Sequence, residues 1–486
     1  MRLDALPLSL VLSLLIRVSV DHALAAPSWL GQPSSLPSRG LHIPLLRRAV
    51  ARRDDDELGR WAKQQKQYVE AKYGRPGSTT SKRSTGYNLL VNQGLDSSYY
   101  GSLAVGTPAV AYNVILDTGS ADFWLIDSTC TQNCDGLPVF NPSSSSTFTN
   151  GSKAFSITYG SGQATGTLAT DVVQMAGFEV NNQVFALCSQ ISSGLLASPV
   201  SGLMGLGWQS LSSSGATPFW QSLYEGNVWD EPVMAFYLTR FLNESNVNAE
   251  EPGGVFTMGT TNTSLYTGQI DYQSVPSGSV NYWTLPLTNL SVGSSSVTLP
   301  SGSSSYAAID TGTTLIGGPA TQVAALYALI PGSSPGTGNY EGYYTFPCST
   351  TIDVTLSFGG KTWSISQDDF KMAQLSGSQC LGAVFAYSGL GNGDGPAWIV
   401  GDTFLKNVYT VFRANPPSVG FATLAADAQS SVARLGVPTA TIGAVSASVT
   451  GSGTGRTLQN AALPHAIPRF AALLLCALSA SSFYLL

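Results

Sequence analysis

Apolar positions along this chain come in short runs, not in long amphipathic stripes. Val172-Val173 and Val184-Phe185-Ala186-Leu187 are typical, with Gly, Asn or Ser close by on their flanks. Such punctuation predicts strands, and the predicted fold class is mainly β. One helix is predicted, over Asp54–Tyr73. Acids cluster at its start (Asp54, Asp55, Asp56, Glu57) and Lys/Arg follow later, which suits the helix dipole; Gly74 and Pro76 end it. Two longer apolar stretches lie at the ends, Leu6–Val20 and Phe470–Leu486.

Composition narrows the class. A chain of 486 residues with 43% hydrophobic and 11% charged residues can bury a sizeable core, in one bilobal domain or two to three smaller ones. Charge divides unevenly. Residues 26–83 carry 12 Lys/Arg against 5 Asp/Glu, and residues 84–486 carry 9 against 22. A basic leader ahead of an acidic body suits an electrostatically docked pro-segment and argues against nucleic acid as a partner. All three histidines, His22, His42 and His465, fall outside the body. A Ser-His-Asp triad, a Cys-His pair and a His-bound zinc are thereby excluded there; no metal and no cofactor are expected.

The ends read as addresses. Residues 1–25 have Arg2 near the start, the Leu6–Val20 run and a final Ala23-Leu24-Ala25, the pattern of a secretory signal peptide. The basic pro-segment, 26–83, holds the pairs Arg47-Arg48, Arg52-Arg53 and Lys82-Arg83, of which the last precedes the first strand-like stretch. Residues 425–460, rich in Ser, Thr, Ala and Gly, are expected to form a flexible stalk. Small residues at Asn460-Ala461-Ala462, a spacer and the apolar tail then spell a GPI-attachment signal over 461–486, with Asn460 as the attachment site; Gly451-Ser452-Gly453 is an upstream alternative. The tail is short of the ~20 apolar residues that span a bilayer comfortably. The sequons Asn150, Asn243, Asn262 and Asn289 fit a secreted glycoprotein.

Six cysteines leave five once Cys476 departs with the tail, so one is unpaired. Cys188 follows an apolar run, with no cation near it in sequence, and is expected as a buried thiol. The expected bridges are Cys130–Cys134 and Cys348–Cys380.

The chemistry lies in a repeat. Val114-Ile115-Leu116 runs into Asp117-Thr118-Gly119-Ser120, and Ala307-Ala308-Ile309 into Asp310-Thr311-Gly312-Thr313. Each copy is followed by two apolar residues and a Gly: Leu203-Met204-Gly205, where Gly205 lies 88 residues after Asp117, and Ile399-Val400-Gly401, where Gly401 lies 91 after Asp310. Matched spacing predicts two similar lobes. One such motif is ordinarily a turn, with Asp capping its own loop. Two copies in a body without His point to a pair of carboxylates at the lobe junction, suited to proton-shuttling hydrolysis.

Further residues fall into order around these. Phe123-Trp124 follows the first motif. Then come Ile157-Thr158-Tyr159-Gly160-Ser161-Gly162, Ser201–Gly207, and Trp398-Ile399-Val400-Gly401-Asp402-Thr403-Phe404-Leu405. From about Tyr99 to Ala422 this set resembles the pepsin-like family of aspartic peptidases. With its anchor-type tail the chain resembles the fungal surface-anchored, yapsin-like branch. The resemblance implies a bilobal fold with a cleft between the lobes, and an endopeptidase with an acid optimum, made as a zymogen. It implies that Asp117 and Asp310 activate water with no covalent intermediate, supported by Gly119, Gly312, Ser120 and Thr313. Tyr159 matches the flap tyrosine and Trp124 its hydrogen-bond partner; Gly160 and Ser161 match contacts to the substrate backbone. Lys72-Tyr73 resembles the pro-segment pair that plugs the cleft. The flap stretch Ser161-Gly162-Gln163 carries no acid, which tilts specificity toward hydrophobic side chains.

The expected lobes are 84–268 and 269–424. The expected partners are polypeptide substrates and, through the anchor, the plasma membrane or cell wall; a monomer is expected. The competing class is an inactive pepsin-fold surface protein that binds without cleaving, for which the loss of one Asp or of the flap tyrosine would speak.

Overall fold

The computed structural model describes residues 84–451, apart from 243, 279, 376, 388–394 and 441. The fold is mainly β, as predicted. Strand Val110–Asp117 shows how the sequence builds it. Tyr112, Val114 and Leu116 alternate with Ala111, Asn113 and Ile115, and only the first set is fully buried.

Both Asp-Thr-Gly copies sit in the same arrangement. In the first lobe, Val200–Gly205 lies parallel to Val110–Asp117 and antiparallel to Phe123–Ile126, which runs parallel to part of Phe178–Ile191. In the second, Trp398–Val400 lies parallel to Tyr306–Ile309 and antiparallel to Ile316–Gly318, which runs parallel to Val384–Ala386. Strand order and directions match, so the repeat in sequence is a repeat in topology. The first lobe also closes on itself, because Ser98–Val105 pairs with both Val110–Asp117 and Gly162–Met175.

The lobes are joined by backbone hydrogen bonds, not by a linker. The ladder runs from the first lobe through Gly86–Gln93, Glu250–Met258 and Val233–Leu238 into Val408–Ala414, Pro417–Leu424 and Tyr266–Ser274. The expected boundary at 268/269 therefore falls inside the strand Tyr266–Ser274. The last two strands of the expected second lobe complete this shared sheet.

Over the sheet lies an aromatic cluster. Trp208 packs against Trp220 at 4.9 Å and Trp283 at 4.8 Å between ring centroids. Trp283 donates from its indole to the Leu206 carbonyl at 2.9 Å, and Trp220 to the Gly207 carbonyl at 2.9 Å. These two buried indole N–H groups thus find backbone partners immediately behind the first motif's loop, while that of Trp208 has none among the described residues.

The stalk expectation needs correcting over its described part. Ala428–Ala433 is a helix that buries Ala428 and Val432, one turn apart. Ala447–Thr450 is a strand that pairs in parallel with Phe178–Asn181. Ala447 and Val449 turn toward the core while Ser448 and Thr450 stay exposed. Small residues hide this pattern in composition, but an i,i+4 apolar pair and a two-residue alternation are enough to dock both elements. The strand also covers a stretch of sheet edge that would otherwise be open. No helix among the described residues is long and apolar enough to cross a membrane.

Replacing Val449 with Asp should release this strand, since a carboxylate would be set against Gly226, just past the helix Phe219–Glu225, and the neighbouring core. The expected loss is about 1–2 kcal/mol, read as a lowered Tm. An unchanged melt would mean that the strand contributes nothing to the fold.

Candidate active site

The two motif loops meet with their carboxyls face to face. Asp117 ends its strand, and Asp310 directly follows Tyr306–Ile309; both are buried. Their supports correspond atom for atom. Gly119 N–H donates to Asp117 Oδ1 at 2.7 Å, and Gly312 N–H to Asp310 Oδ1 at 2.8 Å. Ser120 Oγ donates to Asp117 Oδ2 at 2.5 Å, and Thr313 Oγ1 to Asp310 Oδ2 at 2.7 Å. Each inner oxygen is thus held by a backbone amide and each outer oxygen by a hydroxyl. Gly is required at 119 and 312: a Cβ on either would strike the aspartate of the opposite lobe.

The electrostatics follow from this closeness. Burial, and then the charge of Asp310, push the Asp117 carboxyl well above the usual carboxylate range; a hydrogen bond between the two side chains adds to the effect, and the bonds from Ser120 and Gly119 oppose it. Two carboxylates this close cannot both ionise readily, so the pair tends to keep a proton. The proton belongs to the pair and not to one residue.

The strand behind each loop fixes its height. Leu206 N–H donates to the Asp117 carbonyl at 2.7 Å, and Gly207 N–H to the Ser120 carbonyl at 2.7 Å. In the second lobe, Asp310 N–H donates to the Val400 carbonyl at 3.0 Å, and Asp402 N–H to the Thr313 carbonyl at 2.8 Å. The segments Leu203-Met204-Gly205 and Ile399-Val400-Gly401 therefore lie where the repeat spacing placed them, beside the two motif strands.

Tyr159 lies at the end of Thr149–Tyr159, next to the hairpin tip Gly160-Ser161. The fully buried Trp124 donates from its indole to the Tyr159 hydroxyl at 2.8 Å. Burial, and then the charge of Asp117, raise the Tyr159 phenol well above its ordinary value. It is a neutral hydroxyl near the pair. Gly160 and Ser161 are exposed, and a Cβ on Gly160 would meet open space.

Sequence reasoning missed the residues that tie the loops together. Thr118 Oγ1 donates to the Ile309 carbonyl at 2.9 Å and accepts from Thr311 N–H at 3.0 Å. Thr311 Oγ1 donates to the Leu116 carbonyl at 2.6 Å and accepts from Thr118 N–H at 3.1 Å. The signal was present, since both motifs carry Thr at this position. Asp122 was also missed. Buried, it accepts from Ser212 Oγ at 2.8 Å and from the N–H groups of Ser213 at 2.7 Å and Ser214 at 3.0 Å. Tyr282 feels the charge of the pair too: burial, and then the charges of Asp310 and Asp117, raise its phenol.

The remaining expected residues are dispersed. Cys130 is bonded to Cys134 and Cys348 to Cys380, as paired from sequence. Cys188 is a buried free thiol, pushed up first by burial and then by the charge of Asp127. Asn150 is exposed; Asn262 and Asn289 are half-buried, and the Asn262 side-chain oxygen accepts from Ser264. Asn243, Asn460, Lys72, Tyr73, the signal peptide, the pro-segment and the attachment signal lie outside the described residues.

Comparison with known proteins gives a consistent picture. The family model described as eukaryotic aspartyl protease matches residues 98–424. Major aspartyl peptidase 1 of Cryptococcus neoformans var. grubii is 46% identical over 352 residues, covering 71% of this chain and 72% of the relative. An aspartic protease of Phaffia rhodozyma is 37% identical over 372 residues, covering 74% and 85%. Pepsin A of Bos taurus is 30% identical over 391 residues, covering 79% and 99%.

Thr311→Val keeps the side-chain shape but leaves the Leu116 carbonyl and the Thr118 N–H without their partner. Each buried polar group left unpaired costs about 1–3 kcal/mol, so a loss of about 2–6 kcal/mol is expected. Urea unfolding would measure it. A loss below about 1 kcal/mol would show that the crossed bonds do not hold the loops together.

Proposed function

We propose, from the premise that this chain belongs to the eukaryotic aspartyl protease family and is an aspartic-type endopeptidase, that Asp117 and Asp310 are its catalytic pair. The observation that carries this reading is the matched seating of two buried carboxyls in hydrogen-bond reach of each other. Both aspartates and Tyr159 are in place, so no observation favours a surface protein that binds without cleaving.

The mechanism follows from the shared proton. At acid pH the pair holds one proton between two carboxyls. The ionised partner takes a proton from the attacking water as its oxygen bonds to the scissile carbonyl carbon. The protonated partner donates to the carbonyl oxygen. The tetrahedral adduct then collapses: the C–N bond breaks, the leaving amine takes the proton drawn from water, and an adduct hydroxyl returns a proton to the other carboxylate. Ser120 and Thr313 occupy the outer oxygens, which leaves the inner faces of the pair for water and carbonyl. Tyr159, Gly160 and Ser161 form a lid over the substrate, with Trp124 fixing the tyrosine. Exclusion of bulk water beneath the lid strengthens each of these interactions. The acid-free tip Ser161-Gly162-Gln163 favours hydrophobic side chains in the substrate.

The setting we propose is the cell surface. The signal-like start, four sequons and anchor-type tail support a secreted, glycosylated, GPI-anchored monomer of the yapsin-like branch, held at the plasma membrane or cell wall. The basic segment 26–83 supports synthesis as a zymogen, with Lys72-Tyr73 set against the pair until acid protonates it.

Asp310→Asn should lower kcat/KM by at least about 10²–10⁴-fold with an unchanged circular dichroism spectrum. In the parent, activity should fall as pH rises through the raised upper ionisation of the pair, because the proton donated to the carbonyl is then lost. Pepstatin should inhibit it at acid pH. Full activity in the Asp310→Asn protein, or greatest activity at alkaline pH, would sink the mechanism.

Lys72→Ala in the uncleaved precursor should weaken latency and shift activation toward neutral pH. Activation over the same pH range as the parent would remove Lys72 as the plug.

A further inference from the structure

The hairpin that carries Tyr159 has a defined root. Gly162–Met175 and Phe178–Ile191 run antiparallel, and Ala164 opposite Ile191 is the last ladder pair at this end. The chain leaves the ladder at Ser192, but two bonds continue it. Ser192 N–H donates to the Gln163 carbonyl at 2.8 Å, as the next rung would. The Ser192 hydroxyl then accepts from Gln163 N–H at 2.9 Å, doing the work of a backbone carbonyl. The Gln163 side-chain amide donates to Ser156 Oγ at 2.9 Å, on the other arm of the hairpin. Gln163 is thus bonded on both sides.

The contacts change just past this point. Gly162 has a φ of 148°, and a Cβ there would strike the Cβ of Ser192. Leu195 and Leu196 of the same loop are half-buried against the cluster that includes Ile157 and Tyr159. The loop after Ser192 therefore leans on the hairpin at its root, and the exposed tip Gly160-Ser161 extends beyond it.

We propose that Ser192 is a positioning residue that sets the hinge of the lid: its hydroxyl clamps the Gln163 amide, so that the lid moves as the short unit Tyr159–Gly162. Without the clamp, fraying would run down the hairpin toward Ala164 and Ile157, and closure over substrate would have to order a longer segment. The inference rests on the reading of this hairpin as the lid over the aspartate pair. A lid that closes equally over bound substrate and transition state acts on KM and spares kcat.

The test is Ser192→Ala in the activated protein, with Ser192→Thr as the hydroxyl-retaining control. One exposed hydrogen bond is lost, so KM for a peptide substrate should rise about three- to tenfold with kcat nearly unchanged. Amide hydrogen exchange at Gln163 should quicken by a similar factor, and Ser192→Thr should restore both. A role in stability alone would lower the Tm and leave KM and the Gln163 amide as in the parent, which would overturn the proposal. So would a Thr variant that behaves like Ala. If the catalytic reading itself fails, the parent is inactive, and exchange at Gln163 still decides whether the clamp exists.

Discussion

Everything at the centre of this molecule depends on two threonine hydroxyls that cross the lobe junction. A buried carboxyl pair repels itself when ionised, and that repulsion pushes the two motif loops apart. Thr118 and Thr311 oppose it with four reciprocal bonds, each hydroxyl giving a proton to the opposite strand and taking one from the opposite loop. All the groups involved are backbone or buried hydroxyl, so water does not compete for them. The distance between the carboxyls is therefore set by backbone geometry and not by their own charge.

The matched topology explains why that geometry is symmetric. In each lobe a strand from about ninety residues downstream lies beside the motif strand, and the turn that follows it bonds to the motif loop. The sheet shared by both lobes then limits how far they can shift. Trp283 and Trp220 occupy the carbonyls of Leu206 and Gly207, respectively, and pack against each other at 5.6 Å. The loop is held from behind by hydrogen bonds that are themselves sheltered in the aromatic cluster.

Much of this was legible in the sequence, for an identifiable reason. The Asp, the Gly and the apolar run before them act locally, and a local requirement leaves a local signature. Repetition then removed the ambiguity of a single turn motif. The crossed threonines escaped notice because their partners lie about 190 residues away in the chain, where a hydroxyl beside an aspartate reads as part of the turn. The docked tail escaped because Ala428, Val432, Ala447 and Val449 are few and small among Ser, Thr and Gly. Burial of so little apolar area stands out only once the surface that receives it is known. Asp122 carries no local signal beside Phe123-Trp124, because its three donors begin 90 residues later.

The same pairing of burial and charge sets the pH range of the fold. Where the lobes meet, Lys406 Nζ reaches both Asp96 and Asp369 at 2.9 Å, and Arg240 forks onto Asp369. Burial pushes the Asp369 carboxyl up, but Arg240 and Lys406 outweigh it and hold the group below its usual value. Its contribution to stability is present above the unfolded pKa and is lost as pH falls through the lowered folded one. Asp402 lies one helical turn before Lys406. Burial raises it well above the usual range, Lys406 opposes the rise and the charge of Asp310 adds to it. Asp402 and Asp117 contribute stability that is full below their unfolded pKa and is lost as pH rises through the raised folded values. The two trends cross at the unfolded carboxylate pKa: below it the Asp369 contribution falls away, and above it those of Asp402 and Asp117 decline toward their raised folded values. Until pH passes the raised ionisation of Asp117, the aspartate pair also retains the proton its chemistry uses.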